Sequence, residues 1–310
     1  MPKIQKILIA YDGSVHAKSA LASLKLAGLD ANAQARVLTV SDLWIPPVEA
    51  VSNATDFMLM GTAQVGQQSQ EALKEAGILS REGVRLVRKE FPGWKVSAAT
   101  ALDAPAQGIL HFSEKWKPSL IILGAQGHTL LERVLTGSVS SKVLKHASCN
   151  VRIVRPSTAH KSALQSRVLL AVDGSKDADA MVECVARRSW GREAEFRVVV
   201  VLDYRLSLIQ DFQSDPVVKG RVRGIPFQGH LSERLAEQAV CALAERGLTV
   251  TSAVREGDPR VEVIKEIKRF KANNLFLGRR GLHAVLRFFL GGVSSALAEH
   301  SPCTVEVVHR

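Results

Sequence analysis

Residues 6–14 read KILIAYDGS, and residues 167–175 read RVLLAVDGS. Each is a short apolar run rich in branched side chains, the pattern of a parallel strand buried on both faces, and each ends in an Asp-Gly-Ser turn. Asp12 and Asp173 stand 161 positions apart, and the same spacing aligns RVLTVSD (36–42) with RVVVVLD (197–203). Further along, WKVSAATALDAPAQGIL (94–110) aligns with LTVTSAVREGDPRVEVI (248–264) at a spacing of 154, pairing Pro105 with Pro259. That spacing persists as far as Cys149 and Cys303. The middle of the second copy is therefore seven residues shorter. A register held over so many positions marks a tandem duplication. The polar stretch RPSTAHKSALQS (155–166) reads as the linker, giving domains at 1–157 and 165–310.

Within each copy the patterns alternate between strand and helix. VHAKSALASLKLAG (15–28) places Ala17, Ala20, Leu21 and Leu24 at helical spacing, with Gly28 suited to the helix end. ARVLTV, KVSAAT and LIILG read as the next strands, and SVSSKVLKHA followed by NVRIVR closes the copy with a helix and a strand. The expectation is an α/β protein of two repeated domains, each a five-stranded parallel sheet with helices on both faces. The closing strands NVRIVR and CTVEVVH alternate apolar and polar residues, as sheet edges do, and predict a pseudo-twofold pair of domains joined along them.

The most specific motif is GAQGHTLLERVLTGS (124–138), written again as GRRGLHAVLRFFLGG (278–292). Gly124 follows a strand directly and Gly137 precedes a helix, so the motif lies beyond the carboxyl ends of the strands, where open parallel sheets bind ligands. Glycine there lets a ligand approach the backbone, and a helix N-terminus attracts phosphate. Ser138 and Ser140 add hydroxyl donors, and the spacer's Leu130, Leu131, Val134 and Leu135 let it fold back to bring the glycine ends together. Tight turns alone would also explain the glycines. Asp12, at the end of the first strand on the same side of the sheet, suits hydrogen bonds from an adenine amine or a ribose, and equally suits a turn.

The 310 residues suffice for two domains, and 46% hydrophobic with 23% charged residues is a globular composition. No apolar run nears the roughly 18–20 residues of a membrane span, and the N-terminus lacks the pattern of a secretion signal. Cys149, Cys184, Cys241 and Cys303 form no metal spacing and read as reduced cysteines of a cytoplasmic protein. The net charge of +11 is scattered among apolar positions, so it points to no specific nucleic acid and to no membrane.

With its ILIAYDGS opening, its Gly-x2-Gly-x9-Gly-Ser motif and its closing HASCNVRIV and HSPCTVEVV, the chain resembles the universal stress proteins in their tandem form. That resemblance implies a Rossmann-like, adenine-nucleotide α-hydrolase-like fold, binding of ATP (or ADP or AMP, with Mg²⁺ for ATP), and an intramolecular pseudo-dimer of the two domains. It leaves open a further homodimer of chains. Carried over, it places Tyr11 and Asp12 at adenine and ribose, the main chain of Val40 at adenine, and Gly124, Gly127, Gly137, Ser138, Val139 and Ser140 at the phosphates. His128 leans toward the phosphates or is an exposed loop histidine. In the second copy the corresponding residues are Asp173, Val201, Gly278, Gly281, Gly291, Gly292, Val293 and Ser294. Gly292 stands where the family has Ser or Thr. Arg279 and Arg280 either offset that lost hydroxyl by pairing with phosphate or are solvated charges.

Segments 44–67 and 204–230 show little regular pattern, and Met58, Leu59, Met60, Phe212 and Phe227 in them either cover a ligand or pack on their own domain. No Walker or GxGxxG motif, HExxH, GxSxG elbow or paired-carboxylate spacing occurs, so no catalytic residue is assigned beyond a weak ATPase. Three readings follow in order: a nucleotide-binding regulator, a scaffold that no longer binds nucleotide, and a slow ATP hydrolase.

Overall fold

In strand β1 (Gln5–Ala10), Ile7, Leu8 and Ile9 are all buried, as expected when both faces of a sheet are covered. A computed structural model of the chain describes residues 4–42, 54–125, 138–155, 165–203, 226–281 and 291–310. The first copy continues with α1 (Val15–Ser23), β2 (Ala33–Ser41), α2 (Ala54–Glu90), β3 (Lys95–Leu102), α3 (Pro105–Trp116), β4 (Leu120–Gly124), α4 (Ser138–His146) and β5 (Asn150–Val154). The second repeats the order with β6 (Arg167–Val172), α5 (Lys176–Ala186), β7 (Glu195–Leu202), α6 (Pro226–Ala244), β8 (Thr249–Glu256), α7 (Pro259–Phe270), β9 (Asn274–Gly278), α8 (Gly292–His300) and β10 (Thr304–Val308). Side chains are described from Gly66 in α2 and from Leu231 in α6.

All ten strands form one sheet in the order β3-β2-β1-β4-β5-β10-β9-β6-β7-β8. Each copy is parallel throughout, and the two copies join through the antiparallel pair β5–β10, with Val151 opposite Val307 and Ile153 opposite Val305. The period of two along the strands sorts side chains between the faces. Leu8, Ile121, Leu123, Val151, Ile153, Leu169, Leu275, Val305 and Val307 share one core that runs unbroken through both copies. On the other face, Ile7, Ile9 and Ile122 pack in the first copy's own core, and Val168, Leu170 and Phe276 in the second's.

Pairing of the closing strands was expected, but their alternation has a different cause from the one their sequence suggests. The polar positions Arg152 and Glu306 are fully buried and do not face solvent. Segment 44–67 also differs from its irregular appearance, because α2 begins at Ala54, past both prolines. Good helix formers such as Ala, Met, Leu and Gln carry the helix through a stretch with no clean amphipathic period. Likewise α6 opens at Pro226, a residue whose fixed φ suits a first helical position, so Phe227 lies in its first turn. Phe212 and the linker residues 156–164 lie outside the described residues, as do the side chains of Met58, Leu59 and Met60.

Candidate functional site

In each copy the first strand lies between the second and the fourth, so the strand order reverses at β1–β4 and at β6–β9. Ligands of open parallel sheets bind beyond the carboxyl ends at such a reversal. Asp12 follows β1 and Gly124 ends β4 there, as Asp173 follows β6 and Gly278 ends β9.

In the first copy, Asp12 follows β1 and its Oδ1 accepts from the Ser14 backbone N–H at 3.0 Å. This is the turn that the sequence allows. Ser14 then caps α1, accepting from the Ala17 N–H at 3.1 Å. Tyr11 is buried, with its N–H donating to Leu38 O at 2.9 Å and its carbonyl accepting from Thr39 Oγ1 at 2.7 Å. Burial, with Glu82 nearby, pushes its phenol up to about 12. Tyr11 thus joins β1 to β2 and holds the turn. The last β1–β2 pair is Ala10 with Leu38, while β2 runs on to Ser41, so Val40 extends past the end of β1. Its side chain packs on α3 at Gly108, where a Cβ would stand 2.6 Å from Val40 Cγ1.

Gly124 closes β4, and α4 starts at Ser138. Val139 packs partly buried against the shared core. Ser140 is buried and its hydroxyl donates to Ala125 O at 3.2 Å, so its one proton tethers the loop to the helix. Gly127, His128 and Gly137 lie outside the described residues.

The second copy shows the ends of its glycine motif meeting. The Gly291 N–H donates to Arg279 O at 3.0 Å, and a Cβ on Gly291 would lie 3.5 Å from the Gly281 nitrogen. A Cβ on Gly281 would stand 2.5 Å from Asp173 Oδ2, so the loop lies directly against that carboxylate, whose Oδ1 accepts from the Ser175 N–H. A glycine is required for that approach. Helix α8 opens at Gly292 with Gly291 as its cap residue and no side-chain cap, while Val293 is exposed. Ser294 repeats Ser140, donating to Gly278 O at 2.8 Å. The next residue, Ser295, donates its N–H to Gly291 O at 2.8 Å. Val201, like Val40, lies near the end of its strand against the shared core.

Both loop arginines have protein partners. Arg279 is buried and crosses to the first copy, where Nη1 donates to Ala147 O at 2.5 Å and Nη2 to Lys145 O at 2.9 Å. Burial, with Arg280 adjacent, lowers its pKa. These carbonyls end α4, where a cation is favoured. Arg280 pairs with Asp177, in the first turn of α5, with Nε 2.9 Å from Oδ2. Asp177 escapes a reading of the sequence, because an acid in the first turn of a helix ordinarily needs no further partner. Its one signal is that the aligned residue in the first copy is His16.

Two such crevices on one duplicated sheet define a tandem of Rossmann-like α/β domains. The model of the Universal stress protein family matches residues 3–155 and again 166–309, and the chain belongs to that family. A universal stress protein of Methanocaldococcus jannaschii is 41% identical over 87 residues, which are 27% of this chain and 49% of that protein. The chain thus spans about half the length of that relative. One from Synechocystis is 29% identical over 154 residues, covering 48% of this chain and 97% of that protein. Among solved structures, a universal stress protein of Archaeoglobus fulgidus is 23% identical, with a TM-score of 0.60 over 98% of this chain and 96% of its own. A functionally unknown protein of Pseudomonas aeruginosa is 16% identical, with a TM-score of 0.59 over 99% of this chain and 92% of its own. At these identities the two structures speak for the fold alone. Among the described residues, no helix is long and apolar enough to cross a membrane, and no group of acids, histidines and cysteines is arranged to hold a metal.

Proposed function

We propose that the chain is an adenine-nucleotide-binding regulatory protein whose first crevice, between β1 and β4, holds the ligand. The observation that carries this reading is the convergence of Asp12 and Gly124 at the point where the strand order reverses. Val40 extends past β1 to offer its main chain to a base, and α4 opens at Ser138, the kind of helix N-terminus that favours phosphate. Gly127, Gly137 and Val139 complete the proposed phosphate end, and ATP with Mg²⁺, ADP or AMP fits this donor set. The four cysteines are free thiols, in keeping with a cytoplasmic setting. The domains 1–157 and 165–310 would act as one unit through the shared core, with occupancy of the crevice setting which partner the protein engages.

The test is the nucleotide content of protein purified without added ligand. The protein is denatured and cleared, and the supernatant is resolved by anion exchange. Adenine nucleotide near one equivalent per chain or above supports the reading. None, followed by no heat on titration with Mg-ATP, overturns it in favour of a scaffold.

A further inference from the structure

We propose that Asp177 turns the second glycine motif into a latch that excludes nucleotide, so that the chain holds one nucleotide and not two. This inference rests on nucleotide binding by the first crevice. Asp177 is 4% exposed and faces the Gly278–Gly281 loop. Its Oδ2 accepts from the Arg280 backbone N–H at 3.1 Å and from Arg280 Nε at 2.9 Å, and its Oδ1 accepts from Arg280 Nη2 at 3.3 Å. Ser175 Oγ, from the cap of the same helix, donates to Arg280 O at 3.1 Å. A Cβ on Gly278 would lie 2.8 Å from the Asp177 carbonyl carbon and 2.9 Å from the Ala178 nitrogen, so the strand end is pressed against the first turn of α5.

A glycine loop binds phosphate by offering backbone N–H groups and nearby cations to an anion. Here a carboxylate of the protein takes both. One N–H of the loop and the Arg280 guanidinium are held by Asp177, and the Arg279 guanidinium is held by the last carbonyls of α4. An incoming polyphosphate would meet the negative charge of Asp177 at its loop, with neither arginine released and with Gly292 offering no hydroxyl. The acid and the two arginines that fasten this loop are missing from the first copy, which keeps only the serine, Ser14. His16 aligns with Asp177, Ala125 with Arg279 and Gln126 with Arg280, so the first copy has neither the carboxylate nor the arginines. His16 Nδ1 is buried and finds no hydrogen-bond partner. One motif has diverged into a crosslink between the copies while its twin keeps the composition of a ligand loop.

The test is calorimetric titration of the full chain, stripped of nucleotide, with Mg-ATP. Wild type is expected to bind one equivalent. The D177H/R280Q variant, which installs the first copy's residues, is expected to bind two, and the added equivalent should persist when Gly127→Val disables the first crevice. Two equivalents in wild type overturn the latch, as does a folded D177H/R280Q protein that still binds one. If wild type binds none and the variant binds one, the latch stands and the first-crevice reading falls. If neither binds, both fall. Far-UV circular dichroism reports whether D177H/R280Q folds. Should it not fold, the near-isosteric Asp177→Asn, which removes the charge, decides by the same counts.

Discussion

Arg152 and Glu306 occupy the same position in the two copies and stand directly opposite each other in the antiparallel β5–β10 pair. Arg152 Nη1 donates to Glu306 Oε2 at 3.1 Å, Arg188 Nη1 donates to the same oxygen at 3.0 Å, and Arg188 Nη2 pairs with Oε1. Two identical copies would bring like charges together on this axis. Divergence to Arg in one copy and Glu in the other made the contact attractive and specific to pairing of the first copy with the second.

Removing one partner of a buried ion pair typically costs about 3–5 kcal/mol, because the other charge stays buried. Glu306→Gln strands two arginines, whereas Arg152→Met leaves Glu306 still paired with Arg188. Glu306→Gln is therefore the more destabilising of the two in urea unfolding. The reverse order would show that Arg188 does not hold Glu306 as described.

Gly28 lies at φ +60°, and a Cβ there would stand 2.6 Å from the ring of Trp190 in the other copy. Gly247 has a similar φ of +75° with nothing within 4 Å of that point. Gly247→Ala should lose only the left-handed backbone penalty of about 1–2 kcal/mol. Gly28→Ala should lose about 1–3 kcal/mol more from overpacking between the copies. Equal losses in chemical denaturation would contradict the close packing of Gly28 on Trp190.

Glu266 is buried and accepts from Arg197 and Arg255, each at 2.9 Å, and from Arg269 at 3.4 Å. Burial alone would raise its pKa, but the arginines outweigh that and hold it below the usual carboxylate range. A folded pKa below the unfolded value of about 4.3 gives stability that is present above that pH and lost as pH falls through the folded pKa. Glu266→Gln should therefore weaken the protein by about 1–3 kcal/mol at pH 7. The gap from wild type should narrow as pH falls below about 4.3 and close only below the folded pKa. Urea midpoints at pH 7 and pH 3.5 check this, and a gap of constant size would refute the linkage.

Burial pushes the Cys149 thiol up to about 12 and the Cys303 thiol up to about 11, and it raises that of Cys184, while Cys241 is exposed. The thiolate is the reactive form, so Cys241 alone should react promptly with a disulfide reagent at pH 8. All four should react in denaturant. More than one fast thiol in the native protein would place the buried cysteines nearer the surface.

Gly127→Val inserts a branched side chain where the first crevice is proposed to take phosphate. Binding of Mg-ATP there should disappear, while the far-UV spectrum and the unfolding midpoint stay close to wild type. A folded variant with unchanged affinity would remove Gly127 from the ligand site.

The duplication, the strand and helix order and the position of Asp12, Gly124, Asp173 and Gly278 at the strand ends were legible in the residues. Each depends on local periodicity and on a register repeated along the chain. KILIAYDGS announces a strand and a turn wherever it lies, because the apolar run and the Asp-Gly-Ser turn are local signals. Four charged residues were not legible in this way. Arg152 and Glu306 have the alternation of an exposed edge and are instead the fully buried centre of the sheet. Arg279 and Arg280 have the composition of phosphate ligands, but one reaches the last carbonyls of α4 and the other clasps Asp177. What the sequence alone determined was therefore the scaffold and the place of each crevice. The tertiary structure alone decided how the charges are used, because an ionic side chain takes its role from partners more than a hundred residues away, and no periodicity encodes them.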